Sequence, residues 1–281
     1  MDKLLAWSVK QQQEGTNEPP PDPKLLAQLF GAPDDAQLMV QAMVVITQPD
    51  NKLEDKEIAF DNLEMLVENL DNANQMKNLK LWEPLLAQLS SPHPSLQKLA
   101  AWVVATATQN NPKSQEALAE QGDKGVSKLV ELTGHEDPEV VVKSLFALAS
   151  AIRNCDEAYK QFEAAEGLGK VVGHLKPGAA AQIKSKTLAV LTGILESETD
   201  LMKPEEKRQV FDILVKELES DDHIPSLERS LHVLVLLNQK GFSFSPEELA
   251  QVKKAAKIVE GKLDAEDVKY NEDLKYIEEL K

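Results

Sequence analysis

The apolar positions of this chain recur with helical spacing, and one long pattern occurs twice. Residues 93–110 read HPSLQKLAAWVVATATQN, and residues 137–154 read DPEVVVKSLFALASAIRN. The two stretches align without a gap, so that Trp102 falls on Phe146, Ala105 on Ala149 and Asn110 on Asn154. A helical repeat with a period of about 40 to 47 residues is typical of HEAT and armadillo proteins. The pattern therefore predicts an all-α chain of stacked repeats with a long concave surface.

The pattern continues over about four units. In the second unit it predicts a short helix before Gly122, a middle helix around residues 126–132 and a long helix from Pro138. Further long helices are predicted at residues 183–195 and 225–238, and DNANQ at residues 71–75 is predicted to break the first body helix. A short, a medium and a long helix per unit favour the armadillo arrangement. We therefore predict an armadillo-like right-handed solenoid.

Composition divides the chain into four parts. Residues 1–22 join a short apolar island to a flexible linker, EGTNEPPPDP, in which three prolines favour an extended chain. Residues 23–55 are predicted to form an N-terminal helical cap that begins with the helix KLLAQLF, which Gly31 ends. Residues 56–241 hold the armadillo repeats. Residues 242–281 are predicted to form a C-terminal helical cap, whose first helix starts with a capping box at Ser245.

Charge and cysteine content narrow the class of partner. The net charge is −16, and an acidic surface repels phosphate backbones, so nucleic acid is excluded as the expected partner. The single cysteine, Cys155, cannot form an internal disulfide and fits a reducing compartment. The sequence contains neither a long apolar run nor the pattern of a signal peptide. We therefore expect no membrane association and a cytoplasmic location.

No arrangement of residues for catalysis is recognisable. The chain lacks a phosphate-binding loop, an HExxH zinc motif and a GxSxG elbow, and its five histidines are scattered. We predict a binding protein that is not an enzyme and that needs neither a metal nor another cofactor. Because capped solenoids are often monomers, a monomer is expected.

Two regions are candidates for binding. The first is the N-terminal island with Leu4, Leu5 and Trp7, an apolar core between basic residues such as a chaperone's peptide groove prefers. A helix docked back on the solenoid is an equally good interpretation of this island from the residues alone.

The second candidate is the inner face of the long helices, where Trp102 and Phe146 occupy matching positions. Packing between repeats is the favoured interpretation of these two rings. Arg153, Lys184 and Lys186 lie near the ends of long helices in an otherwise acidic chain. They are either part of a recognition surface or ordinary solvated side chains.

Three further stretches resemble one known family. They are MDKLLAWSV at the start, DPKLLAQLFGAPDD, and FDNLEMLVENLDNANQMKNLKLWEPL at residues 60–85. Over essentially its whole length the chain resembles the fungal Fes-type nucleotide exchange factors of the 70-kDa heat-shock chaperone. The resemblance implies an armadillo domain that grips one lobe of the nucleotide-binding domain of a cytosolic chaperone and promotes ADP release. It also implies an N-terminal release segment that occupies the peptide groove and helps to expel the substrate.

The resemblance also suggests which residues take part. Leu4, Leu5 and Trp7 match the release segment, which favours an exposed peptide over a docked helix. The chaperone-gripping surface is predicted to contain the basic residues named above and four residues of the ENLDNA run: Asn69, Asp71, Asn72, Ala73, Arg153, Lys184 and Lys186. Helix termination is the alternative explanation of ENLDNA.

The alternative function is a generic armadillo adaptor without exchange activity. Such an adaptor is expected to carry a regular ladder of asparagines on its inner face, and the third repeat has Glu196 at the end of its long helix instead.

Overall fold

The computed structural model describes residues 34–220 and 223–281, and every regular element in these ranges is helical. Two short 3₁₀ helices, Gln88–Ser90 and Gly122–Lys124, accompany the α-helices. The α-helices, in chain order, are α1 (Asp35–Thr47), α2 (Leu53–Val67), α3 (Leu70–Gln75), α4 (Trp82–Ala87), α5 (Pro94–Thr108), α6 (Pro112–Ala119), α7 (Val126–Leu132), α8 (Pro138–Ile152), α9 (Asp156–Ala164), α10 (Gly167–Val172), α11 (Ala181–Leu195), α12 (Pro204–Ser220), α13 (Ile224–Gln239), α14 (Pro246–Glu260), α15 (Ala265–Tyr270) and α16 (Glu272–Glu279).

Five long helices lie side by side in one row. They are α2, α5, α8, α11 and α13, and each packs against the next. The shorter helices between them pack against one another and against the row, and α14 and α16 pack against α13 at the C-terminal end. The predicted all-α solenoid with armadillo-like units is confirmed. The predicted boundary between residues 55 and 56 falls inside α2, which packs on both α1 and α5 and so joins the N-terminal helix to the repeats.

Local signals explain where the long helices begin and end. Proline occupies the first turn of α5, α8 and α13, where its missing N–H costs no hydrogen bond. The Asp137 carboxylate caps α8 by accepting a hydrogen bond from the backbone N–H of Glu139 at 2.8 Å. Asn110 and Asn154 follow α5 and α8 with φ angles of 52° and 56°. Asparagine tolerates this left-handed conformation better than most residues, so both side chains are placed where a helix must stop.

The core is aliphatic, and small residues let the long helices approach closely. Leu145, Ala147 and Leu148 of α8 are completely buried. A Cβ atom added to Gly193 of α11 would lie 3.1 Å from the carbonyl oxygen of Ala149 on α8. The two helix backbones therefore meet at a point where glycine leaves the necessary space.

One local prediction was wrong, and two left-handed residues were not predicted. The DNANQ stretch does not interrupt a helix, because Asn69 caps a new helix, α3, which contains it. Lys80, with a φ of 56°, precedes α4, and Glu166, with a φ of 55°, lies between α9 and α10. Single left-handed residues of this kind have no signal in the apolar periodicity.

Candidate partner-binding surface

The inner face of the long-helix row carries two aromatic rings, each covered by a lysine. Trp102 on α5 and Phe146 on α8 are half-buried. The Nζ atom of Lys143, from α8, lies 3.8 Å from the Trp102 ring centroid, and that of Lys186, from α11, lies 4.3 Å from the Phe146 centroid. Both distances suit cation–π attraction. Each ring therefore packs against the next repeat and also holds a positive charge at the surface.

Lys143, Lys186 and Arg229 form a basic column along this face. They occupy equivalent positions on the adjacent helices α8, α11 and α13, one in each successive unit. The Arg229 guanidinium donates a hydrogen bond to the carbonyl oxygen of Ser185 on α11 at 3.2 Å. Lys186 was predicted from the sequence, whereas Lys143 and Arg229 were not. Their regular spacing, about one repeat length apart, was the signal that would have found them.

The column concentrates like charges on one face of an acidic protein. Burial lowers the pKa of Lys143, and the neighbouring Lys186 and Lys98 lower it further, against the opposing effect of Glu64 and Glu139. Burial also lowers the pKa of Lys186, and Arg229 adds to that shift. The partial desolvation of these ammonium groups makes an anionic partner group favourable at this position.

Arg153 lies in the same cleft as Lys186. This cleft has a volume of about 360 Å³ and opens between α8, α11 and α13, and its lining also includes Glu196 and His232. The Arg153 guanidinium pairs with Glu196 at 2.8 Å and keeps 45% of its side chain exposed. The structure therefore brings two of the predicted basic residues together on the inner face.

Lys184 is buried, and the prediction that it lies on this surface is therefore wrong. Its side chain is 5% exposed and pairs with Glu217 of α12, which is 2% exposed. Residues two apart on an α-helix point about 200° away from each other, so Lys184 and Lys186 cannot share a face. Of the two lysines assigned to the chaperone-gripping surface, Lys186 therefore lies at the surface and Lys184 is buried.

The ENLDNA run divides in the same way. Asn69 and Asp71 are exposed, and Glu68, which precedes them, lines a cleft together with Trp102 and Phe146. Asn72 and Ala73, in contrast, are only 8% and 2% exposed, so their predicted contact with a partner is wrong for this structure.

Both buried residues have structural roles. The Asn72 amide donates hydrogen bonds to the Asp35 carboxylate at 2.8 Å and to the Leu66 carbonyl oxygen at 2.9 Å. These bonds tie α3 to α1 and to the end of α2. Ala73 belongs to the apolar core. The Asn69 side chain caps α3 by accepting the backbone N–H groups of Asp71 and Asn72. Helix initiation is therefore one role of the run.

Several other predictions concern chemistry or residues outside this surface. Leu4, Leu5 and Trp7 lie outside the described residues. Cys155 is buried in the core, and burial raises the pKa of its thiol. Within residues 34–220 and 223–281, no group of three or more His, Cys, Asp or Glu side chains is placed to hold a metal ion. The same ranges contain no helix of the length and apolarity that a membrane span requires.

The asparagines near the ends of the long helices differ in conformation and in partners. Asn110 and Asn154 are the left-handed residues that end two helices. Asn238 lies within α13, where its amide donates to the Phe242 carbonyl oxygen and its Oδ1 accepts from the Tyr276 hydroxyl. The inner face also presents the Trp102 and Phe146 rings and the basic column. The fold places the chain in the class of armadillo-type repeat proteins.

Two known families match residues 1–219 between them, and a curated relative matches the whole chain. The family described as "Nucleotide exchange factor Fes1" matches residues 1–76, and the "SIL1/FES1/HPBP1 C-terminal domain" matches residues 72–219. A curated relative from Yarrowia lipolytica, "Hsp70 nucleotide exchange factor FES1", is 90% identical over 280 residues, which cover 100% of both chains. The relative of the same name from Saccharomyces cerevisiae is 36% identical and covers 92% of this chain and 94% of its own length.

Solved structures share the fold at low sequence identity. A designed armadillo repeat protein, YIII(Dq)4CqI, superposes with a TM-score of 0.67 and 17% identity, covering 85% of this chain and 97% of its own. This likeness shows the fold alone. The sequence matches show more, since they extend over the whole length of the chain. The chain belongs to the SIL1/FES1/HPBP1 family, and within it to the Fes1 group.

Proposed function

We propose that this chain is a co-chaperone that binds the nucleotide-binding domain of a cytosolic 70-kDa heat-shock chaperone and promotes ADP release. The observation that carries the proposal is the 90% identity, over the full length, to a relative named as an Hsp70 nucleotide exchange factor. The protein acts by binding and catalyses no covalent reaction. It works as a monomer and needs no cofactor, nucleic acid or membrane.

The inner face of the long-helix row is the surface we assign to the chaperone. This face presents three positive groups at regular intervals, those of Lys143, Lys186 and Arg229, which can contact an acidic patch on the partner. Arg153 adds a fourth positive group in the adjoining cleft. Complementary charge of this kind speeds association and fixes the register of the two surfaces. Asn69 and Asp71, which follow Glu68 at the N-terminal end of the face, extend the contact.

Exchange follows from a difference in affinity. A chaperone whose nucleotide cleft opens and closes shifts toward the open state only if its partner binds that state more tightly. The solenoid is suited to this task, because the rows of helices share one continuous core and present the inner face as a preformed shape. If a lobe of the chaperone fits this shape only when the nucleotide cleft is open, binding holds the cleft open. ADP then leaves faster.

The N-terminal segment completes the cycle in this proposal. Leu4, Leu5 and Trp7 enter the chaperone's peptide groove and compete with the bound substrate. Exchange and substrate release are then separable activities of one chain, because they use different residues. A generic armadillo adaptor has neither activity and is the outcome that the following experiment distinguishes.

The test is stopped-flow release of a fluorescent ADP analogue from a cytosolic 70-kDa chaperone, with and without the full chain. The proposal expects strong acceleration, reduced by Lys186→Glu and unchanged by Lys113→Glu, a matched charge reversal at an exposed site on α6. A variant with Leu5→Glu and Trp7→Glu is expected to keep the exchange activity and to lose release of a fluorescent peptide. A detectable complex without acceleration would make the chain an adaptor and overturn the proposal.

A further inference from the structure

Exposed large apolar side chains are concentrated at the N-terminal end of the solenoid. Within residues 34–220 and 223–281 nine such side chains are exposed, and seven of them lie between residues 38 and 70. The seven are Leu38, Val40, Val44, Leu53, Ile58, Met65 and Leu70. A concentration of exposed apolar side chains on a folded domain marks an interaction surface.

Helix α1 is apolar around almost its whole circumference. Met39, Met43 and Ile46 face the core, whereas Val40 and Val44 on the other side are 38% and 51% exposed. Helices that are apolar all round are normally buried on all sides. In the described residues α1 packs on one side only, against α2, α3 and α4. Its second face is therefore built for contact.

A groove of about 570 Å³ lies between α1 and α2, and two of the seven exposed apolar side chains, Leu38 and Met65, line it. Its apolar lining consists of Leu38, Ala42, Val45, Ala59, Met65 and Leu66. Two neutral amides, Gln41 and Asn62, complete the lining, and no charged residue contributes to it. The groove therefore suits a neutral apolar segment about as long as the part of α1 that lines it, from Leu38 to Val45, and does not suit a strongly charged peptide.

The chain itself supplies such a segment next to the groove. Thirty-three residues precede Asp34, and residues 24–30 read KLLAQLF. Leu25, Leu26, Leu29 and Phe30 have the spacing of one helix face, and Lys24 is the only charged residue among the seven.

Length and connection also fit. Only residues 31–33 separate Phe30 from Asp34, and three residues span up to about 10 Å. Leu38 lies one helical turn beyond Asp34, so Phe30 reaches the near end of the groove. Seven residues of helix are about 10 Å long, which equals the distance along α1 over residues 38–45. A three-residue connection is ordinary between antiparallel neighbouring helices.

We propose that residues 24–30 dock in the groove between α1 and α2 and form the first layer of the solenoid. The short connection gives this segment a high effective concentration at the groove, which a second copy of the chain lacks and which residues 4–9 have only through a much longer tether. Docking holds the chain at Pro23. The 22 residues before it then determine how far the N-terminal segment can extend from the solenoid. The inference does not depend on the proposed exchange activity.

The test uses the full chain labelled with ¹³C at its methionine methyl groups. The chain has six methionines, and Met65 in the groove is 68% exposed in the described residues, whereas Met202 in the third unit is 3% exposed and serves as the internal control. We expect a soluble nitroxide to leave the Met65 methyl signal protected in the wild type. In Leu26→Glu/Leu29→Glu the Met65 signal is expected to shift and to lose that protection, while Met202 does not change.

The matched control is Leu4→Glu/Leu5→Glu, which alters the other apolar segment by the same chemistry. A response of Met65 to this control alone would place residues 4–9 in the groove and overturn the proposal. A Met65 signal that the nitroxide broadens equally in the wild type and in both variants would show an uncovered groove. Protection that disappears on dilution would identify a second copy as the occupant, which also contradicts the proposal.

Discussion

Lys184 and Glu217 form an ion pair inside the solenoid and connect α11 to α12. Both side chains are almost fully buried, at 5% and 2% exposure. Two charges removed from water in this way stabilise a fold only as long as they neutralise each other. The pair therefore holds α11 against the next unit, and Lys184 has no part in the inner face on which Lys186 lies.

Removing one member of this pair is expected to destabilise the protein strongly. Lys184→Met leaves the Glu217 carboxylate buried without its partner, so the free energy of unfolding should fall by about 3–5 kcal/mol. The double variant Lys184→Met/Glu217→Leu removes both charges and should regain most of that loss. Urea unfolding at pH 7 measures both effects. If the double variant were as unstable as the single one, shape rather than charge would explain the cost.

Ala73→Arg is expected to disrupt the fold rather than a partner contact. Ala73 is 2% exposed, so an arginine there must be buried or must displace α3, and we expect a loss of more than about 3 kcal/mol. Asp71→Ala changes an exposed side chain in the first turn of the same helix and should cost less than about 1 kcal/mol.

Thermal unfolding followed by circular dichroism separates these two variants from each other. If Asp71 contacts the chaperone, Asp71→Ala should slow ADP release while its melting temperature stays close to the wild-type value. A stable, fully folded Ala73→Arg protein would show that residue 73 lies at the surface, against the structure.

Glycine positions in two helices are expected to respond oppositely to substitution. A Cβ at Gly193 would lie 3.1 Å from the Ala149 carbonyl oxygen, so Gly193→Val should force α8 and α11 apart and cost about 1–3 kcal/mol. Gly169, in α10, has no heavy atom within 4 Å of an added Cβ. Gly169→Ala should therefore stabilise by roughly 0.5–1 kcal/mol, since it restricts the unfolded chain and favours the helix. Chemical denaturation of both variants and the wild type measures the two changes in unfolding free energy, one a loss and one a gain.

The sequence predicted the long helices because their signals are local and repeated. The apolar period, the prolines at the helix starts and the capping box at Ser245 all appear in the structure as expected. The left-handed conformations of Lys80 and Glu166 were not predicted, because a left-handed residue other than glycine or asparagine has no compositional signal.

The binding surface was only partly predictable, since it depends on which side of a helix faces the core. Lys184 and Lys186 look equivalent in the sequence, and only the position of Glu217 on the next unit shows that Lys184 is buried. Lys143 was not predicted, although it occupies the same position on α8 as Lys186 does on α11. Its role follows from the Trp102 ring beneath it and from Lys186 in the next repeat.

The attachment of the C-terminal helix is expected to depend on pH through His232. The Nδ1 atom of His232, on α13, lies 3.1 Å from both carboxylate oxygens of Asp273, on α16, and its Nε2 atom lies 3.8 Å from Glu196. The hydrogen bond to Asp273 raises the pKa of His232 above its usual value near 6.5, with a further contribution from Glu196. A raised pKa in the folded state means that this contribution to stability is complete below about pH 6.5 and is lost as the pH rises through the folded-state pKa.

The measurement compares wild type with His232→Gln, because burial lowers the pKa of His174 and gives that residue the opposite pH dependence. The difference in unfolding free energy between the two proteins should be largest near pH 5.5 and should shrink toward about pH 8.5. The protection factors of the α16 amides, which correct for the intrinsic rise of exchange with pH, should fall over the same interval in the wild type and stay level in the variant. A difference that does not change with pH would show that the contact between His232 and Asp273 carries no charge in solution.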